Sequence, residues 1–98
     1  MSKWTIKYRP EVDGDLSDLG TAEARRVLSA IAERLGSEPN KYGKPLSGSL
    51  AGHRRLRVGD IRIIYQVDGG TVQVLVVAIG PRRNDAVYGI ARQRVFNR

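Results

Sequence analysis

Apolar side chains recur along this chain at two spacings, and the switches between them mark out its elements. Trp4, Ile6 and Tyr8 alternate with Thr5 and Lys7, a period of two that predicts a strand. Pro10 suits the first turn of a helix. Beyond it Val12, Leu16 and Leu19 stand at i, i+4 and i+7, the spacing of one helix face. Gly14 weakens that helix by about 1 kcal/mol, and Gly20 breaks it. From Thr21 the period remains helical, with Ala24, Val27, Leu28, Ile31 and Leu35 on one side and Arg25, Arg26, Glu33 and Arg34 on the other. Gly36 ends this second helix. The two helices predict a hairpin with one shared apolar face.

Residues 36–52 are rich in Gly, Pro, Ser and Asn and predict a loop, pinned to the core by Leu46 and Leu50. Three strands follow. His53–Val58 and Ile61–Val67 flank Gly59-Asp60, a two-residue loop with Gly leading that suits a type II′ hairpin. Asp68-Gly69-Gly70 predicts the next turn, taken as a two-residue loop. Thr71–Ile79 is almost wholly apolar, as in a central strand covered on both sides. Asn84-Asp85 can cap a last helix over Ala86–Phe96. The fold class is α+β in one domain, residues 1–98: a small, mostly antiparallel four-stranded sheet, an N-terminal helical hairpin on one face and a short C-terminal helix.

The hairpin register sorts the side chains. One face is expected to carry Leu56, Val58, Ile61, Ile63, Tyr65, Val72, Val74, Val76 and Ala78. The other carries His53, Arg55, Arg57, Arg62, Ile64, Gln66, Leu75, Val77 and Ile79. Arg57 then stands opposite Arg62, and like charges so placed repel by some tenths of a kcal/mol. A site built for a polyanion gives them a reason to be there; otherwise the guanidiniums fan outward to unseen acids.

Charge sharpens the point. Of the net +7, residues 1–52 hold eight Lys/Arg against seven Asp/Glu, while residues 53–98 hold nine Arg against three Asp, or +1 and +6. A cationic, arginine-rich half is an electrostatic footprint for phosphate polymers, and guanidinium forks suit bidentate phosphate contacts. There is no cysteine and one histidine, which excludes disulfides, thiolate metal sites and Cys–His catalysis. No carboxylate pair sits at a spacing that suggests a metal site or a general acid/base pair, no glycine-rich phosphate loop leads into a helix, and no cofactor or metal is expected. No apolar run approaches the roughly 20 residues of a membrane span or forms a signal peptide, so a cytoplasmic protein without membrane contact is expected. What remains is His53, several arginines and Tyr88, a set suited to metal-free RNA cleavage by the ribose 2′-hydroxyl.

The run Lys44-Pro45-Leu46-Ser47-Gly48-Ser49-Leu50-Ala51-Gly52-His53-Arg54-Arg55-Leu56-Arg57-Val58-Gly59-Asp60-Ile61-Arg62-Ile63-Ile64-Tyr65 resembles the central segment of the RelE/ParE toxin superfamily. The later run from Ile79 through Gly80-Pro81-Arg82-Arg83 to Val87-Tyr88 is similar to that family's ending, and the likeness covers essentially the whole chain. It implies a RelE-like fold and the toxin of a type II toxin–antitoxin system, a metal-independent endoribonuclease that cuts mRNA in the ribosomal A site. A RelB-like antitoxin is the implied partner. By the resemblance, His53 and Arg55 match basic residues that accept the proton, although the family more often has lysines there. An imidazole with pKa near 6.5 is a plausible base, and a guanidinium is a poor one. Arg62 and Arg82 match phosphate-binding arginines, and Tyr88 a residue that stacks on a base or orients the sugar. Arg54 and Arg57 are further phosphate contacts, and Arg83 replaces Arg82 if the turn shifts by one. Ile64, Leu75, Val77 and Ile79 are expected to be open to an antitoxin. The alternatives are a ParE-like inhibitor of DNA gyrase, a non-catalytic RNA- or antitoxin-binding module, and a subunit acting mainly with its antitoxin on DNA.

Overall fold

The computed structural model describes residues 3–82 and 85–96. In chain order the elements are β1 (Thr5–Tyr8), α1 (Val12–Leu19), α2 (Thr21–Ala30, continued by a π-helical turn, Ile31–Leu35), β2 (Lys44–Pro45), a 3₁₀ turn (Gly48–Leu50), β3 (His53–Val58), β4 (Ile61–Asp68), β5 (Gln73–Pro81) and α3 (Ala86–Phe96). The strands form one mixed sheet in the order β1-β5-β4-β3-β2. Only β1 runs parallel to its neighbour, β5. The sheet thus has five strands rather than four. The addition, β2, lies in the segment expected to be a loop, where Lys44 pairs with Arg55 and Pro45 with Arg54. Two residues carry no alternation to read, and Pro is tolerated there because the strand is an edge.

The β3–β4 hairpin has the expected register, Val58 opposite Ile61 and Arg57 opposite Arg62. Gly59 has φ +59° and Asp60 is not among the residues of positive φ, as a type II′ turn requires. The β4–β5 turn is longer than expected: Asp68 pairs with Gln73, and Val72 sits in the turn at φ +54°. The Asp68 carboxylate organises it, its Oδ1 accepting from the N–H groups of Gly70 at 3.0 Å and Thr71 at 3.4 Å. The loop length stays even, so Val74 and Val76 keep their expected face.

Farther along β5 the face assignment reverses. Tyr65 pairs with Val76 but Ile64 pairs with Ala78, leaving Val77 as an extra residue, a β-bulge. Ile79 therefore packs with Leu56, Ile61, Ile63, Val12, Val27 and Ile31 beneath α1 and α2. Ala78 joins Ile64, Val77, Val87 and Ala91 beneath α3. This corrects two expectations. Ala78 and Ile79 exchange faces, and Ile64 and Val77 are not open to a partner, since α3 covers them to 0 and 1 % exposure. Leu75 is half-buried at the margin of the same cluster.

One ion pair ties the two helical layers together. Arg94 on α3 donates to both carboxylate oxygens of Asp15 on α1, at 2.7 and 2.8 Å. The pair straddles the edge of β5 beyond the end of β1. There Asp15 accepts the Ile79 N–H at 2.9 Å and Arg94 donates to the Val77 carbonyl at 3.0 Å. Two backbone groups of the bulged segment are satisfied in this way, and α3 is fixed over the sheet.

Candidate active site

Arg62 lies at the centre of the arginine face. On β4 it sits between Arg57 of β3 and Gly80 of β5. Gly80 has no side chain to hold α3 away: a Cβ there would meet Val87 Cβ at 3.3 Å. The helix approaches closely enough to lay Tyr88 against Arg62. Arg62 Nη1 donates to the Tyr88 hydroxyl at 2.9 Å and to Asp85 Oδ1 at 3.2 Å, and its guanidinium carbon lies 5.7 Å from the Tyr88 ring centroid. Arg55 Nη1 donates to the same hydroxyl at 3.3 Å. One phenolic oxygen thus accepts from two guanidiniums, which leaves its own O–H free to donate.

The electrostatics are lopsided. Arg62 is 8 % exposed, yet the carboxylate it contacts, Asp85, has a side chain 68 % exposed. The Arg55 Nε is buried with no hydrogen-bond partner. Arg57 is exposed opposite Arg62. Buried cations are ordinarily matched by buried acceptors, so this cluster is left short of negative charge. The sequence marks Asp85 only as a helix cap. Its φ of +53° and the bond from its N–H to the Arg82 carbonyl at 3.1 Å aim it back at Arg62. No sequence signal marks that contact, because Asp85 precedes α3 and the bond to Arg62 joins residues far apart in the chain.

The other expected residues are dispersed. Arg82 follows β5, with its backbone N–H bonded to the Asp60 carbonyl at 2.8 Å and its side chain exposed near the Arg62 end of the sheet. Arg83, like the proposed cap Asn84, lies outside the described residues. Arg54 is on the opposite side of the sheet, where Nη2 donates to the carbonyls of Asn40 and Gly43 at 2.8 and 3.0 Å; the structure does not bring it to the cluster. His53 is on the arginine face but pairs with Gln66, four residues along β4 from Arg62, or about 13 Å at strand rise. It is 7 % exposed, its Nδ1 has no partner, and it lines a separate cavity of about 270 Å³ with Arg9, Gln66 and Val95.

The chain and its fold are similar to known proteins. Residues 6–86 fit the family model described as ParE toxin of type II toxin–antitoxin system, parDE. Toxin RelG of Mycobacterium tuberculosis is 30 % identical over 83 residues, covering 81 % of this chain and 91 % of that protein. Toxin RelE of the same organism is 31 % identical over 74 residues, covering 63 % and 76 %. Among solved structures, the toxin–antitoxin complex RelBE2 from M. tuberculosis gives a TM-score of 0.79 at 27 % identity, covering 86 % of this chain and 97 % of the matched one. The archaeal RelE–RelB complex from Pyrococcus horikoshii gives 0.65 at 28 %, covering 86 % and 99 %. By the family match across most of its length, this chain belongs to the RelE/ParE family of type II toxin–antitoxin toxins.

Proposed function

We propose that this toxin is a ribosome-dependent, metal-independent endoribonuclease that cuts mRNA in the ribosomal A site. The observation that carries the reading is the Tyr88 hydroxyl held between Arg55 and Arg62 in a cluster short of negative charge. A scissile phosphate fits beside it, displacing the weakly held Asp85 carboxylate from Arg62. The guanidiniums of Arg62 and Arg55, joined by exposed Arg82, bind the non-bridging oxygens and stabilise the charge that grows on them in the transition state. Arg57 contacts a neighbouring phosphate.

In this mechanism the ribose 2′-oxygen bonds to phosphorus and the bond from phosphorus to the 5′-oxygen breaks. A 2′,3′-cyclic phosphate and a 5′-hydroxyl result. The 2′-hydroxyl proton passes to water, and the leaving 5′-oxygen takes the Tyr88 proton, which solvent restores. The ribosome supplies the in-line geometry. His53 stands too far along β3 to act as the base, and Arg54 plays no part. The partner that silences the toxin is a RelB-like antitoxin, whose acidic groups would compete for the same arginines; complexes of that kind are among the solved structures similar to this chain.

A second reading has one specific support: the matched family model is described as a ParE toxin, which favours inhibition of DNA gyrase. Induced expression with primer-extension mapping of a translated mRNA separates the two. New cuts in translated mRNA, lost in Arg62→Ala with Arg82→Ala, support the nuclease. Growth arrest without cuts would overturn it and point to gyrase or another target.

A further inference from the structure

A second cationic feature adjoins the cluster, on the outer side of β3. Lys44 on β2 is the direct cross-strand partner of Arg55, so two like charges again share a face with no carboxylate between them. A groove of about 370 Å³ opens here, lined by Lys41, Tyr42, Gly43, Lys44, Arg55 and Arg57 among others, with no acidic residue in its lining. Arg55 is common to this groove and to the Tyr88 contact. Tyr42 is 41 % exposed, an aromatic ring displayed amid four cations.

The segment that displays it is clamped from beneath. The buried Tyr65 hydroxyl donates to the Pro39 carbonyl at 2.7 Å, and Arg54 bonds the carbonyls of Asn40 and Gly43. Gly43, at φ +78°, lies so close that a Cβ would collide with the Tyr65 hydroxyl and come within 2.7 Å of the Arg55 carbonyl. The backbone is thus held rigidly by groups behind it, while Lys41, Tyr42 and Lys44 are exposed. The nearby acid is Glu38, a surface partner of Lys41 at 3.8 Å, too exposed to neutralise it appreciably. Aromatic rings on a preformed basic track are how proteins bind single strands without reading sequence.

We propose that the 39–44 segment is a rail for single-stranded RNA, in which Tyr42 stacks on a base while Lys41 and Lys44 hold flanking phosphates, extending the track away from the Arg55–Arg62–Tyr88 site. The inference rests on the nuclease reading for the identity of its ligand. The probe is a fluorescent 2′-O-methyl octaribonucleotide, which has no free 2′-hydroxyl and cannot be cut, titrated against the full chain by anisotropy. Tyr42→Ala weakens binding about 5- to 100-fold, as loss of one stacked base does, and Tyr42→Phe restores it. Lys41→Ala and Lys44→Ala each flatten the dependence of log affinity on log salt by about 0.7. Wild-type affinity and salt slope in all these variants, or no affinity in the wild type, overturn the rail. Cleavage of translated mRNA is scored in parallel. Loss of binding in Tyr42→Ala with no cuts by wild type supports the rail and sinks the nuclease; cuts by wild type with undiminished binding in Tyr42→Ala sink the rail alone.

Discussion

Replacing Asp15 by Asn tests how far the fold depends on one ion pair. The change keeps the side-chain shape and an oxygen that can still accept the Ile79 N–H, but leaves the Arg94 guanidinium without its anion. Both side chains are nearly enclosed, at 15 % and 11 % exposure for Arg94 and Asp15, so the weak values for surface pairs do not apply. Removing one partner of a buried pair costs about 3–5 kcal/mol. The residual exposure and the retained Ile79 bond place Asp15→Asn near the lower end, about 3 kcal/mol. With a urea m-value of roughly 1–1.5 kcal/mol/M for so small a domain, the midpoint falls by about 2–3 M. Asp15→Leu with Arg94→Met removes the stranded charge but also the side-chain partners of the Ile79 N–H and the Val77 carbonyl, so it recovers only part of the loss. Circular dichroism against urea reads all three proteins. A midpoint shift below about 0.5 M in Asp15→Asn would show that α3 is held by its apolar contacts alone.

Other consequences are testable at the site. His53→Ala should keep cleavage within a few-fold of wild type in a translating extract, since the residue stands apart from the arginine cluster; a loss of a hundredfold or more would return it to the mechanism. Asp85→Asn removes the carboxylate that competes for Arg62, and a short RNA should bind a few-fold more tightly by anisotropy, with weaker binding as the contrary result. The Asp68 carboxyl is held below its ordinary value of 3.8 by the Thr71 hydroxyl and N–H and by the Gly70 N–H. A depressed folded-state pKa stabilises above the unfolded value, and that contribution is lost as pH falls through the lower folded one. A carbon-detected titration should therefore place Asp68 below free aspartate, and Asp68→Ala should lower stability at neutral pH and lessen its fall as the pH drops into the acid range.

What could be read from sequence follows the range of the interaction responsible. The periods of two and 3.6 and the Gly59-Asp60 turn are local signals, and they located β3, β4, α1 and the α2 face. They also placed Arg62 opposite Arg57. The Val77 bulge was hidden because an unbroken apolar run looks the same in either register. With it went the true positions of Ala78 and Ile79; the open apolar surface expected at Ile64 and Val77 is absent for a different reason, the packing of α3 over them. Asp15–Arg94 and Arg62–Asp85 join residues far apart in the chain, and no spacing rule encodes them. Charge alone groups Arg54 with its neighbours, whereas strand alternation turns every second residue to the other face, where Arg54 bonds Asn40 and Gly43.

The most direct test of the nuclease is purified toxin added to ribosomes programmed with a defined mRNA, in parallel with the same mRNA carrying one 2′-deoxy sugar at the cut position. The account predicts cleavage leaving a 2′,3′-cyclic phosphate, abolished by the single 2′-deoxy sugar and reduced about 10²- to 10³-fold in Arg62→Ala. An intact message on programmed ribosomes, from a toxin that instead blocks supercoiling by gyrase, would contradict it.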